Sequence, residues 1–453
     1  MSSQDENKRY YGWTIVFCSF VVIFLSFSIR GSFGVFLTPM ANDLGWSTTA
    51  LSAGLSIFMV CYGITAMFAG AMLDKVGPKP VFLVHGVLLG LGLFLSSFSK
   101  EPWQFYLTYG LIAGVGAGAL FAPPTQLVRK WFIKDLGKAL GITTGACGLG
   151  FGLAPIVAMN LIEVMPWQTA MQVLGVILAV GVCAVALLTK PTPESIGIHP
   201  PGYEEAQKAA AEGAQGVGDY SFTLGEAMKK TSWWLLALAW FCSNFSEFTC
   251  LSHSLNYAKT EIMLEPVKAT YLYSISGFIY LCIGAVAGIA IDRLTVKFSN
   301  DAFKARKLML LITYSLACLA CIAMYYVKGY ASYGFYSALF GLASGSYIPS
   351  IVGYSGEMFG RAHAGKVWGT LTLIGMGGGA GLGPVLAGYL KDTTGSYGSA
   401  IIASAISYAC AAFITQIIQR PKIPVAASAG SDEVAETEQE LAGAELQPAA
   451  AEA

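Results

Sequence analysis

The sequence predicts an all-α polytopic membrane protein with twelve transmembrane helices in two parallel six-helix repeats. Three observations carry this. Of 453 residues, 12% are charged and 55% hydrophobic, about half the charged share of a soluble domain. Apolar runs close to the ~20 residues that cross a bilayer recur along the chain. The residues that mark the first half reappear in order in the second.

Taken in order, the first apolar run covers 12–37. Residues 1–11 are polar and the run is too long for a signal core, so it reads as a retained span. A turn around Asp43, Gly45 and Trp46 leads to the second run, 49–72. A short charged turn follows, then runs at 81–98, 105–128, 139–165 and 170–189. Residues 190–231 break the pattern with Pro- and Gly-rich turns and a polar Ala/Glu/Lys segment, which reads as a soluble connector with a short surface helix. Six more runs follow at 232–258, 269–291, 308–327, 333–356, 365–390 and 397–418. The tail from 421 is Ala-rich and acidic, a composition that does not bury a core. The expected divisions are a terminus at 1–11, bundles at 12–189 and 232–420, the connector at 190–231 and a disordered tail at 421–453.

Charge placement orients the chain. With both termini on one side, the segments there hold 21 of the 27 Lys and Arg residues, and the opposite segments hold five. Positive charge stays on the cytoplasmic side, so both termini are expected in the cytoplasm, in a plasma or inner cell membrane. The halves repeat: Gly70 and Asp74 return as Gly288 and Asp292, Gly116 and Pro124 as Gly341 and Pro349, and Pro155 as Pro384.

The totals also exclude. Zero net charge gives no field for nucleic acid. The ten cysteines all lie in apolar runs, where a thiol acts as a small hydrophobe. Four His residues without paired spacing give no metal site. No cofactor motif and no nucleophile–base set is present, so an enzyme is not expected. The glycine clusters before Pro155 and Pro384 follow no strand, and they read as close helix packing with a bend at each proline.

The turn running from Gly70 through Asp74, Lys75 and Gly77 to Pro78 and Lys79 resembles the signature loop of the major facilitator superfamily. Its Gly77-Pro78 variant, with Tyr11, Gly12 and Trp13 opening the first span and Gly45, Trp46 and Ser47 in the outer turn, is similar to the monocarboxylate-porter and oxalate-formate-porter branch. That resemblance implies two bundles rocking about a central cavity, and small organic anions such as lactate, pyruvate, formate or oxalate moved by proton symport or exchange. It implies that Asp74, Lys75, Asp292 and Arg293 latch the cytoplasmic gate, with bends at Pro155 and Pro384. The chain departs from animal monocarboxylate porters in the eighth helix, where Tyr280 and Gly284 stand in place of an Asp and an Arg.

The candidate site begins with Arg30, 18 residues into the first run. A guanidinium at depth costs at least ~2.5–3.5 kcal/mol and faces a cavity or a partner. It reads as an anion clamp or a buried pair, or as an Arg snorkelling to headgroups. Glu247 lies at similar depth in the seventh run, with Asn244 one turn earlier on the same face. It reads as a proton carrier, as a counter-ion to Arg30, or as a structural carboxyl. His253, near the outer end of that helix, reads as a pH-sensing or a structural group. Gln126, Tyr280 and Tyr347 are polar groups in other cavity-lining spans. The expected partners are a small organic anion, protons and the bilayer, with the oligomeric state open. The alternatives are an exporter of neutral or amphipathic compounds and a non-transporting membrane sensor.

Overall fold

The computed structural model describes residues 3–200, 202–203, 220–299, 301–360 and 363–422. The expected surface helix in the connector and the expected disordered tail lie outside these residues.

Among the described residues, twelve long helices follow the predicted runs. The first six are α1 (Ser3–Leu44), α2 (Thr48–Val76), α3 (Pro78–Ser96), α4 (Pro102–Trp131), α5 (Leu136–Val164) and α6 (Trp167–Leu188). After the connector come α7 (Thr231–Thr260), α8 (Pro266–Lys297), α9 (Ala302–Tyr325), α10 (Tyr330–Phe359), α11 (Ala364–Thr394) and α12 (Gly398–Ile417). Ten of these are long and apolar enough to cross a membrane, and α8 qualifies as a pair bent by 41°. The exception is α7, which the sequence presents as one more apolar run. Its 30 residues reach across a bilayer, but Ser243, Asn244, Ser246, Glu247, Thr249 and His253 dilute its apolar character. All six are buried, so this helix turns its polar groups to the protein interior and not to lipid, as the bilayer demands.

The two repeats meet along three helix pairs: α5 with α8, α2 with α11, and α1 with α7. Missing side chains permit the closest approaches. A Cβ on Gly277 of α8 would fall 2.1 Å from the Gly152 nitrogen of α5. Two helices carry wide turns: Tyr106–Ala113 within α4 and Leu373–Gly379 within α11 adopt π geometry, a local surplus of backbone common near functional sites.

The two ends of the molecule differ. The end where α2 meets α3, and where the connector leaves α6, is the connector face; the other is the far face. Hydrogen bonds between the two repeats gather toward the far face. Thr38 donates to Asn256, Lys259 Nζ to the Gly34 carbonyl at 3.4 Å, and the backbone and side chain of Thr49 to Asp392. At the connector face two ion pairs form within a repeat: Lys130 with Asp74 at 2.8 Å, and Arg306 with Glu357 at 3.8 Å. The segment before α7 docks within its own repeat too, through a Phe222 N–H bond to the Phe359 carbonyl at 2.9 Å.

Candidate functional site

Arg30 sits in α1, 2% exposed. Its burial removes the snorkelling alternative: the side chain does not reach out to headgroups. Its guanidinium lies 3.8 Å from the Phe27 ring centroid and 4.7 Å from that of Tyr62 on α2, so cation–π attraction offsets part of the desolvation cost. Nη2 donates to Ser26 Oγ, one turn earlier, at 3.2 Å. Nε and Nη1 are buried without a hydrogen-bond partner. Buried donors are almost always satisfied; a guanidinium fork with two open nitrogens offers hydrogen bonds to a carboxylate-like acceptor.

Glu247 on α7 is 7% exposed. Ser344 of α10 stands beside its carboxyl. With Phe151, Ser276 and Tyr280, these residues line a small crevice between the repeats. Arg30 and Glu247 form no ion pair with each other. Between them runs a row of aromatic rings: Phe27 packs on Phe151 at 5.4 Å, and Phe151 on Tyr280 at 6.2 Å. Cys147 and Tyr280 lie within electrostatic reach of both charged groups. The site therefore has a cationic wall from the first repeat, an acidic wall from the second and an aromatic partition.

Asn244 and Tyr347 come together on the acidic side. The Asn244 amide donates to the Trp240 carbonyl at 2.7 Å and to the Tyr347 hydroxyl at 3.0 Å. Tyr347 also shares a hydrogen bond with Ser243 and stacks on Trp240, centroids 4.9 Å apart. Asn244 Oδ1 remains buried without a partner.

Other expected residues lie elsewhere. Gln126 packs against Gly70, eight residues or about 12 Å of helix past Tyr62. His253 belongs to the far-face seal: its Nε2 lies 2.9 Å from the Pro384 carbonyl and 3.3 Å from Ser52 Oγ, and its Nδ1 is buried without a partner. Pro384 thus contributes a carbonyl to that seal, while Pro155 is buried inside α5. The expected latch at the connector face is not made across the repeats. Asp74 is held by Lys130 of its own repeat, and Lys75, Asp292 and Arg293 are exposed.

Sequence reasoning missed Tyr62, Tyr109 and Ser344. Tyr109 lies in the wide turn of α4, within electrostatic reach of Arg30, and its hydroxyl is buried without a partner. Nothing in an apolar run distinguishes a tyrosine that lines a site from one that fills a core. Ser26, by contrast, was available from its spacing of four residues before Arg30.

Membrane-length helices in two packed repeats, enclosing charged groups that lipid would not tolerate, define a membrane transporter and not an enzyme. The chain belongs to the Major Facilitator Superfamily, whose family model matches residues 17–336. It is 26% identical over 416 residues to monocarboxylate transporter 12 of Xenopus laevis, covering 88% of this chain and 86% of that protein. Monocarboxylate transporter 13 of Bos taurus is 24% identical over 403 residues, covering 86% and 85%. Among solved structures, a mutant of the nucleoside transporter NupG superposes with a TM-score of 0.68 at 13% identity, over 89% of this chain and 99% of that one. At that identity the likeness is one of fold.

Proposed function

We propose that this protein is a secondary active transporter of small, monocarboxylate-like organic anions, working by alternating access with proton coupling. The observation that carries the reading is the buried Arg30 fork with two open donors. The two animal relatives, both monocarboxylate transporters, agree with it. A carboxylate seated on Arg30 completes the hydrogen bonding of that fork and neutralises its charge. Glu247 takes up a proton on the opposite wall, so that the loaded cavity carries little net charge when the bundles rock. An empty cavity with its charge exposed is disfavoured from crossing, which ties anion to proton.

In this reading residues 12–189 and 232–420 are the rocking bundles, the connector face is cytoplasmic, and both termini lie there. Tyr280, Asn244 and Tyr347 shape the acidic wall, and Asp74 and Asp292, with Lys75 and Arg293, latch the cytoplasmic face in the opposite state. His253, Pro155 and Pro384 act at the gates. The test is uptake into proteoliposomes of labelled lactate, oxalate and a panel of amphipathic compounds, at two pH values, for the parent and for Arg30→Gln. Loss of carboxylate uptake in the variant supports the reading. Retained uptake removes Arg30 from the binding site.

A second reading has one observation in its favour. The rings of Phe151, Tyr280, Trp240 and Tyr347 offer a surface that suits a neutral or amphipathic cargo. Counterflow driven by the amphipathic panel and not by carboxylates would select it. Binding without any flux would select a membrane sensor.

A further inference from the structure

The far-face seal contains an arrangement that the binding site does not use. The N-terminus of α2 exposes backbone N–H groups that no helical carbonyl can satisfy. Its own Ser47 caps one of them, accepting from the Ala50 N–H at 3.1 Å. The next donors point at the other repeat. Thr48 N–H reaches Asp392 Oδ1 at 3.1 Å, and Thr49 N–H reaches Oδ2 at 2.7 Å. The Thr49 hydroxyl adds a third bond to Oδ2 at 2.6 Å. Asp392 stands in the last turn of α11, so a carboxylate of one repeat caps a helix of the other. This places negative charge at the positive end of the α2 dipole.

We infer that Asp392 and the N-terminus of α2 form the latch that holds the far face closed, a gating role beyond the anion site. Three features fit a latch rather than a fixed joint. All its bonds cross between repeats that share no chain connection nearby: the partners are separated by 343 residues. Asp392 is exposed and Thr48 and Thr49 are half-buried, so water at this rim replaces each lost bond when the face opens. Ser47 keeps capping α2 after release, so the helix end does not fray. Below the latch, His253 against Ser52, and Thr38 against Asn256, continue the seal inward. The inference rests on the alternation of the two bundles and not on the identity of the cargo.

The test measures far-face opening without substrate. Ser56 is buried on α2, one turn deeper than Ser52, and its backbone lies against Gly381 of α11. In Ser56→Cys, the rate of labelling by a membrane-impermeant maleimide, counted above the parent chain, reports opening. Asp392→Asn keeps the shape and removes the charge. Thr48→Pro removes one latch donor at a helix position that accepts proline, after Ser47, whose extended backbone suits a following proline. Asp392→Asn is expected to raise labelling about fivefold, the effect of a charge at an exposed helix end, and Thr48→Pro, which removes one of three bonds, by a smaller factor. Ser47→Ala removes the cap within the same repeat and is expected to leave labelling unchanged. Unchanged labelling in both Asp392→Asn and Thr48→Pro overturns the inference. Equal acceleration by Ser47→Ala overturns it too, because the cause would then be fraying of α2. Since no cargo is present, the result is independent of whether Arg30 binds an anion.

Discussion

Gly152 and Gly277 bring two helices of different repeats into backbone contact: a side chain on Gly277 would overlap the Gly152 nitrogen at 2.1 Å. Neither backbone can yield without moving a whole helix. Gly277→Ala is therefore expected to force α5 and α8 apart and to cost about 1–3 kcal/mol, the usual penalty of overpacking. Gly284→Ala on the same helix meets its nearest foreign atom at 3.7 Å and is expected to be neutral. Thermal unfolding in detergent compares the two, and equal melting temperatures would refute the contact.

Arg30→Lys keeps the charge but loses the planar fork that lies over Phe27. A single ammonium cannot reproduce the planar set of donors. Losing one charge-assisted hydrogen bond of about 1.5 kcal/mol weakens binding about tenfold. The expected outcome is a tenfold rise in the apparent KM for the transported carboxylate, against complete loss in Arg30→Gln. An unchanged KM would mean that the charge alone matters.

Tyr347→Phe removes a hydroxyl that serves both Ser243 and Asn244. Asn244 would then be left with its carbonyl oxygen and one amide hydrogen buried and unpaired. The expected cost is about 1–3 kcal/mol of stability, read as a lower melting temperature. Simultaneous Asn244→Leu is expected to recover part of it, because both polar partners are then gone. A double variant as unstable as the two losses added would contradict the pairing.

The segment docked before α7 responds to acid. The Tyr220 hydroxyl donates to Glu226 at 2.7 Å, and the Thr223 N–H and hydroxyl each donate at 2.9 Å. These bonds, that of Tyr220 first, hold the Glu226 carboxyl below its ordinary range. A lowered pKa in the folded segment means that its capped turn is favoured while the carboxylate is ionised. That contribution is present above the ordinary carboxylate range, near pH 4.3, and is lost as pH falls through the lower folded value. Hydrogen exchange of residues 220–230 is expected to quicken across this acidic window in the parent. In Glu226→Gln it is expected to be faster at neutral pH and flat across the window.

The sequence revealed the repeats and the two buried charges for a plain reason: Arg30 and Glu247 interrupt apolar runs, and an interruption in lipid is costly enough to be conspicuous. Asp392 gave no such sign, because beside Lys391 at a helix end it reads as an ordinary flank. Its partners Thr48 and Thr49 are 344 and 343 residues away, a pairing that only the assembled repeats create. Tyr109 was hidden for another reason. The wide turn in α4 rotates the residues beyond it, and regular helical periodicity cannot anticipate that shift. For Gln126 and His253 the sequence located the helix but not the neighbour that each faces, because that neighbour belongs to another span.

The polar interior of α7 has a consequence for biogenesis. A segment that carries Glu247 and His253 among several hydroxyls partitions poorly from the translocon into lipid, since one acidic residue at the centre opposes insertion by about 2.5–3.5 kcal/mol. Residues 231–260 placed alone in a glycosylation-based insertion reporter are expected to remain largely uninserted, and Glu247→Leu to rescue them. In the whole chain α7 must therefore wait for company, and α11 and α12, which pack beside it, are synthesised last. The helix that contributes the acidic wall is thus the one whose membrane residence depends on the completed second repeat, so a chain truncated before α11 would lose both its site and its seventh span.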